Sequence, residues 1–355
     1  MKKPHAVFFL SCVLLLLTSC APTGVRPARP SDKTNKTILK AVRYYNEGIA
    51  YLQSDNYTKA LDRFEKSAEL NPKDPWVFHA MGVAWGKLGM LEKEVAYYDQ
   101  AIALDPKFAE ALHNRGIALH LLGRYKEARR SLEMAIDADY QYQSAHINLA
   151  KVLASQHQYQ LALLSVDNAL DLSPSSTRAL YTKGLILEEM EKYDDAVKCH
   201  AAILRLSGEY PEVYLHLAIC LERLGNLDDA LTAVARAIAQ KPDYHEAFYE
   251  RGIIEEKQDK CGDALQSFEK AISLFPSSAE AHHAKARCLA KLEQYPAALA
   301  ACDQALRIQP DSVEALKTRA LILKALGRED EAEATSARVR QLESELPETQ
   351  ASPSL

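Results

Sequence analysis

Residues 75–106 read PWVFHAMGVAWGKLGMLEKEVAYYDQAIALDP. Phe78, Met81, Gly82 and Trp85 fall at helical spacing and form one apolar stripe; Leu91, Val95, Tyr98, Ala101 and Ile102 form another. Between them stands Leu88-Gly89, where glycine can adopt the left-handed conformation that closes a helix. Pro75 suits the first turn of a helix, where a missing N–H costs nothing. Pro106 cannot continue a helix and pushes the residue before it out of the helical region. The stretch reads as helix, turn, helix, stop.

The same pattern returns every 34 residues from about Ala41 to about Leu346. Pro72, Pro106, Pro174, Pro242, Pro276 and Pro310 share one phase. Small residues hold a second: Gly48, Gly82, Gly116, Ala150, Gly184, Ala218, Gly252, Ala286 and Ala320. Twelve positions on, a third phase carries alanine at 60, 128, 162, 196, 230, 264, 298 and 332, with Glu94 the exception. Two helices approach closely only where neither presents bulk, so Gly82 with Glu94, or Gly116 with Ala128, is expected at each crossing. Glu94 should then splay the second repeat slightly. Further breaks are expected at Gly123, Gly225 and Gly327. Tyr140 and Gly208 replace the closing proline in two units, with Pro211 opening the next helix. The last helix, expected from Glu329 to Arg340, is rich in charge, as a terminal unit without a neighbour requires.

These positions resemble the tetratricopeptide repeat (TPR), which places a large residue, Gly/Ala, Ala and Pro at these intervals. The resemblance covers about residues 41–346 and implies an all-α fold, a right-handed α-solenoid of about nine helix-turn-helix repeats. It also implies that the first helix of each pair lines a concave face, with the second, fifth, sixth and ninth positions inward. On that face a peptide-binding groove is expected from Tyr45, Asn46, Trp76, His79, His113, Asn114, Asn148, Lys151 and Tyr181. Asn46, Asn114 and Asn148 share one position and resemble the asparagine ladder that some TPR proteins set against a peptide backbone; an amide both donates and accepts. Trp76 and Tyr45 would be rigid apolar anchors. In the C-terminal half, Glu188, Glu189, Glu212, Glu222, Glu246, Glu250, Glu256, Glu280 and Glu314 suggest an acidic inner face that prefers a basic segment. The lysine, asparagine, lysine, arginine clamp of chaperone-binding TPR domains is not present at matching positions.

The chain begins differently. Lys2 and Lys3 precede an apolar run from Ala6 to Leu17, the length of a signal-peptide core and short for a membrane span. It ends in Leu17-Thr18-Ser19-Cys20, which resembles the bacterial lipobox and implies cleavage before Cys20 and acylation, including palmitate, of that residue. Residues 1–19 are thus expected as a lipoprotein signal peptide and 20–40 as a lipidated cysteine and flexible basic linker. Residues 41–346 hold the nine repeats, and 347–355 a disordered tail. Within 21–40, five bases face one acid; the segment either leans on anionic headgroups or is a plain spacer. Ala21 after the cysteine favours an outer membrane, facing the periplasm.

Composition is ordinary: 48% hydrophobic, 26% charged, net charge −5. Nothing asks for nucleic acid. No CxxC, HExxH, GxSxG or phosphate-cradling glycine loop occurs. His79, His113 and His120 lie on related phases, but such spacing arises easily in an array, so no metal is assigned. Of the cysteines beyond Cys20, Cys199, Cys220, Cys261, Cys288 and Cys302 suit buried positions, with a Cys288–Cys302 bridge conceivable in an oxidising compartment. The expected function is a non-enzymatic, membrane-anchored scaffold that binds proteins or extended peptides for cell-envelope assembly, with no cofactor and no small-molecule substrate. The rival reading is a docking or regulatory subunit of an envelope enzyme complex such as exopolysaccharide or glycosyl transfer.

Overall fold

The computed structural model describes residues 35–206 and 208–345, and these form eighteen α-helices. They divide into two compact units, one ending at Ile186 and one beginning at Leu187. The first unit contains α1 (Asn35–Gln53), α2 (Tyr57–Leu70), α3 (Pro75–Lys87), α4 (Leu91–Leu104), α5 (Ala109–Leu121), α6 (Tyr125–Ala138), α7 (Gln143–Ser155) and α8 (Tyr159–Leu172). The boundary falls inside α9 (Thr177–Glu189). The second unit continues with α10 (Tyr193–Leu206), α11 (Pro211–Arg223), α12 (Leu227–Gln240), α13 (His245–Lys257) and α14 (Cys261–Leu274). It ends with α15 (Ala279–Lys291), α16 (Tyr295–Ile308), α17 (Val313–Ala325) and α18 (Glu329–Glu345). From α1 to α8 and from α10 to α18 each helix packs on the next along the chain, the architecture of an α-solenoid.

Two boundaries differ from the sequence reading. Helix α1 begins at Asn35, so residues 35–40, expected in the linker, are helical and Lys36 to Lys40 are exposed. Helix α18 runs to Glu345, five residues past Arg340. Cys20, the signal peptide, residues 20–34 of the linker and the tail from 346 lie outside the described residues.

The punctuation is as the sequence dictates. Gly89, Gly123, Gly225 and Gly327 take positive φ of 72° to 82° at the turn inside their pairs. Asp55, His157, Glu191, Asp259 and Glu293 adopt the same left-handed conformation on the same phase, where a Cβ makes it costly. Pro75 and Pro211 open α3 and α11. Asp105, before Pro106, turns extended at φ −136°, ψ 95°; Asp139 does the same before Tyr140 (φ −145°, ψ 98°), so the phase survives loss of the proline.

The alanine phase is wholly buried: residues 60, 128, 162, 196, 230, 264, 298 and 332 are each 0% exposed. At Gly116 the expected Ala128 is a close neighbour, its carbonyl oxygen 3.3 Å from where a Cβ would stand, but the nearest crossing partner is a larger residue. A Cβ on Gly82 would lie 2.6 Å from the Tyr98 ring, one on Gly48 2.4 Å from Phe64, one on Gly252 2.5 Å from Phe268, and one on Gly116 2.6 Å from Leu132. Each glycine therefore makes room for a large side chain one helical turn beyond the alanine phase. Glu94 does not splay its repeat either. Its carboxyl sits over Gly86, where a Cβ would approach it to 2.5 Å, and accepts a hydrogen bond from Tyr98 Oη at 3.1 Å. Burial pushes the Glu94 carboxyl up to about 7, so near neutral pH much of it is uncharged.

All five described cysteines are free and buried. The Cys288–Cys302 bridge does not form; Cys302 Sγ instead donates to the Ala315 carbonyl at 3.1 Å.

Candidate partner-binding site

In the first unit, Arg178 on α9 donates from Nη2 to Asn148 Oδ1 at 3.1 Å. A guanidinium only donates, so this contact fixes the Asn148 amide, and its Nδ2 must face His113 Nε2, 2.7 Å away. His113 Nε2 then accepts, and the proton resides on Nδ1, which faces Asn114 Oδ1 at 3.2 Å and Tyr142 Oη at 3.1 Å. Asn114 Nδ2 in turn donates to His79 Nε2 at 3.0 Å. One donor at the end of the row thus sets every tautomer and amide along α9, α7, α5 and α3. Both histidines stay neutral: burial, followed by the charge of a neighbour, pulls each down to about 4.

Next to this row lies a cleft of about 320 Å³ lined by Trp76, Phe108 and Tyr142 together with Asp105, Lys107, Glu110 and Asp139. Trp76 opens α3, while Phe108 and Tyr142 are the residues immediately before α5 and α7. Ring centroids of Trp76 and Phe108 lie 4.5 Å apart, those of His79 and Phe108 5.2 Å, and those of His113 and Tyr142 4.8 Å. The imidazoles therefore hold the aromatic walls from behind. Asp105, Glu110 and Asp139 on the rim outnumber Lys107. The cleft offers an aromatic slot inside an acidic collar.

Of the expected groove residues, Trp76 alone lines the cleft; His79 and His113 pack behind its walls, and His79, His113, Asn114 and Asn148 form the bonded row. The last four are 0–2% exposed and bonded to one another, so they do not present amides to a ligand backbone as expected. Tyr45 is buried against Phe64, and Tyr181 is buried too; neither, nor half-buried Asn46, lines the cleft. Lys151, one turn beyond Asn148, is 4% exposed, and its Nζ has no hydrogen-bond partner. Burial, then the Arg178 charge, pulls its ammonium down to about 7. Phe108 and Tyr142 were missed, although an aromatic recurs on their 34-residue phase at Tyr210 and Tyr244.

The acidic inner face expected from the second half is largely neutralised within the protein. Glu222 pairs with Lys257 and Arg223, and Glu256 with Arg287 at 2.6 Å and Lys291 at 3.4 Å. Burial, then the neighbouring Glu222, pushes Glu250 up to about 8.

Models of the tetratricopeptide repeat match residues 41–74, 77–108, 97–130, 122–177, 147–197, 187–249 and 249–313. The chain belongs to the tetratricopeptide repeat family. A TPR protein from Parabacteroides merdae is similar in fold, at 15% identity over 71% of this chain and 99% of that chain, with a TM-score of 0.57. A chain of the APC/C hetero-tetramer Cut9–Hcn1 is similar at 16% identity over 81% of this chain and 57% of the other, also with a TM-score of 0.57. No curated protein matches the chain. The TPR fold supports a protein-interaction scaffold, and no catalytic family is indicated. Among the described residues no helix is long and apolar enough to cross a membrane.

Proposed function

We propose that this TPR chain is a lipid-anchored adaptor of the bacterial cell envelope. Its first unit captures an extended segment of a partner protein by one large apolar side chain with basic residues beside it. The observation that carries the reading is the Trp76–Phe108–Tyr142 cleft with its acidic collar. An aromatic slot gains most from a desolvated apolar anchor, and anchors of this kind dominate the energy of protein interfaces. Asp105, Glu110 and Asp139 would hasten approach of a basic segment and disfavour an acidic one.

The bonded row behind the slot suits the same task. Its neutral imidazoles, His79 and His113, back Phe108 and Tyr142, so a ligand need not spend binding energy on ordering those walls. Attachment at Cys20 would keep the adaptor at the outer membrane, facing the periplasm; several acyl chains, each contributing about 0.8 kcal/mol per buried methylene, hold a protein there stably.

Peptide display against the full chain tests this. The expected enrichment is a segment with a single Trp, Phe, Leu or Met flanked by Lys or Arg, lost on Trp76→Ala. Enrichment of acidic segments, or the same segments selected by Trp76→Ala, would overturn it.

A further inference from the structure

The second unit gathers a set of donors that partner binding does not use. Glu188, near the end of α9, places Oε1 2.6 Å from His200 Nε2 and Oε2 2.9 Å from His216 Nδ1. His200 belongs to α10 and His216 to α11, and their rings stack with centroids 5.8 Å apart. Cys220 lies one turn beyond His216 on α11, with its Sγ within 4.8 Å of the same carboxylate. The ligand atoms of Glu188, His200 and Cys220 all lie within 4.8 Å of one another. His200 and Cys220 are fully buried, and His216 is 6% exposed.

The geometry points to a zinc site formed by Glu188, His200, His216 and Cys220, stapling α9, α10 and α11 together. One thiolate, two imidazoles and one carboxylate are all ordinary zinc ligands, and four of them complete a tetrahedral, closed structural site. Glu188, His200 and Cys220 already stand within 4.8 Å of one another, and His216, 2.9 Å from Glu188 Oε2, reaches the fourth position by a side-chain rearrangement. Charge also balances: Zn²⁺ with one thiolate, one carboxylate and two neutral imidazoles is neutral, which suits a dry interior.

The metal-free arrangement shows what the ion would replace. In that arrangement the Glu188 carboxyl bridges the two imidazoles, Oε1 to His200 Nε2 and Oε2 to His216 Nδ1. Burial, then the Glu188 charge, keeps the Cys220 thiol protonated far above its ordinary range. On binding, Zn–S, Zn–N and Zn–O bonds form, the thiol proton leaves to solvent, and any imidazolium gives up one proton.

The test uses the full, thiol-reduced chain stripped with chelator and titrated with Co²⁺. Expected are the intense ligand-field bands of tetrahedral cobalt and a thiolate charge-transfer band, saturating at one ion per chain and bleached by Zn²⁺. Cys220→Ser should abolish the charge-transfer band, and His200→Gln should weaken Zn²⁺ binding by more than about tenfold. If either variant fails to fold, X-ray absorption on the wild-type zinc form decides: one sulfur with two imidazoles supports the site, and an all-oxygen shell overturns it. An octahedral cobalt spectrum in a fully helical wild type, or a charge-transfer band intact in Cys220→Ser, also overturns it.

Discussion

Asn148 Nδ2 lies 2.7 Å from His113 Nε2, one repeat away, and both side chains are all but sealed from solvent. Asn114 stands in the same relation to His79 at 3.0 Å. Rungs of this kind couple successive first helices by bonds with a defined direction. Arg178, as a pure donor, starts the row and leaves no freedom to invert it.

Replacing a middle member should therefore cost stability before it costs binding. Asn114→Leu leaves His79 Nε2 without its donor, while His113 Nδ1 keeps Tyr142 Oη as its acceptor. A buried group left unpaired costs about 1–3 kcal/mol. Urea unfolding should show a loss in that range, and a loss below about 0.5 kcal/mol would mean that the row carries little energy.

Lys151 gives a pH signature. Its ammonium is held near 7 in the folded chain against an ordinary 10.5. Between those values the unfolded chain binds the extra proton, so stability rises with pH across that window, by up to about 5 kcal/mol, and is flat with respect to this group below it. Lys151→Met should accordingly be more stable than wild type at pH 7, by roughly 1–4 kcal/mol. That advantage should shrink as pH rises toward 10. A difference independent of pH would show that the ammonium has an acceptor in solution.

Gly86 and Glu94 form a matched pair. Gly86→Ala brings a Cβ to 2.5 Å from the Glu94 carboxyl and should cost about 1–3 kcal/mol by overpacking. In a Glu94→Ala background the same change meets no obstacle, and alanine gains about 1 kcal/mol over glycine by helix propensity. The sign of the Gly86 effect should reverse between the two backgrounds. Equal effects in thermal or urea unfolding would remove the proposed dependence.

Much of the fold was legible because helix pairing in a TPR chain is local and periodic. Pro106, Gly89 and the buried alanines each mark a position that steric rules alone determine. The candidate site was legible only in part. Trp76 could be named as an anchor, but the sixth-position asparagines were read as facing a peptide in the groove. Whether an amide faces a ligand or a neighbour depends on the adjacent repeat, here on histidines 35 residues earlier. The Gly86–Glu94 match was hidden for the same reason, since either residue alone looks like an exception. The Glu188–His200–His216–Cys220 cluster has irregular spacing in the chain and follows no motif; only the packing of three helices brings it together.

Membrane attachment rests on the sequence motif ending at Cys20. Cys20→Ser, expressed in a Gram-negative host with its own leader, should lose acyl labelling and move from the membrane pellet to the soluble fraction. Persistent pelleting in high salt would contradict lipidation.

The central claim is that the Trp76–Phe108–Tyr142 cleft holds a partner's apolar side chain. The chain has two tryptophans, so Trp85→Phe leaves Trp76 as the sole indole reporter. Titrating that protein with a synthetic peptide bearing one leucine between basic residues should shift Trp76 emission to shorter wavelength in a saturable way, and Tyr142→Ala should weaken the response at least tenfold. Saturable binding with no change in Trp76 emission would place the partner elsewhere and contradict the account.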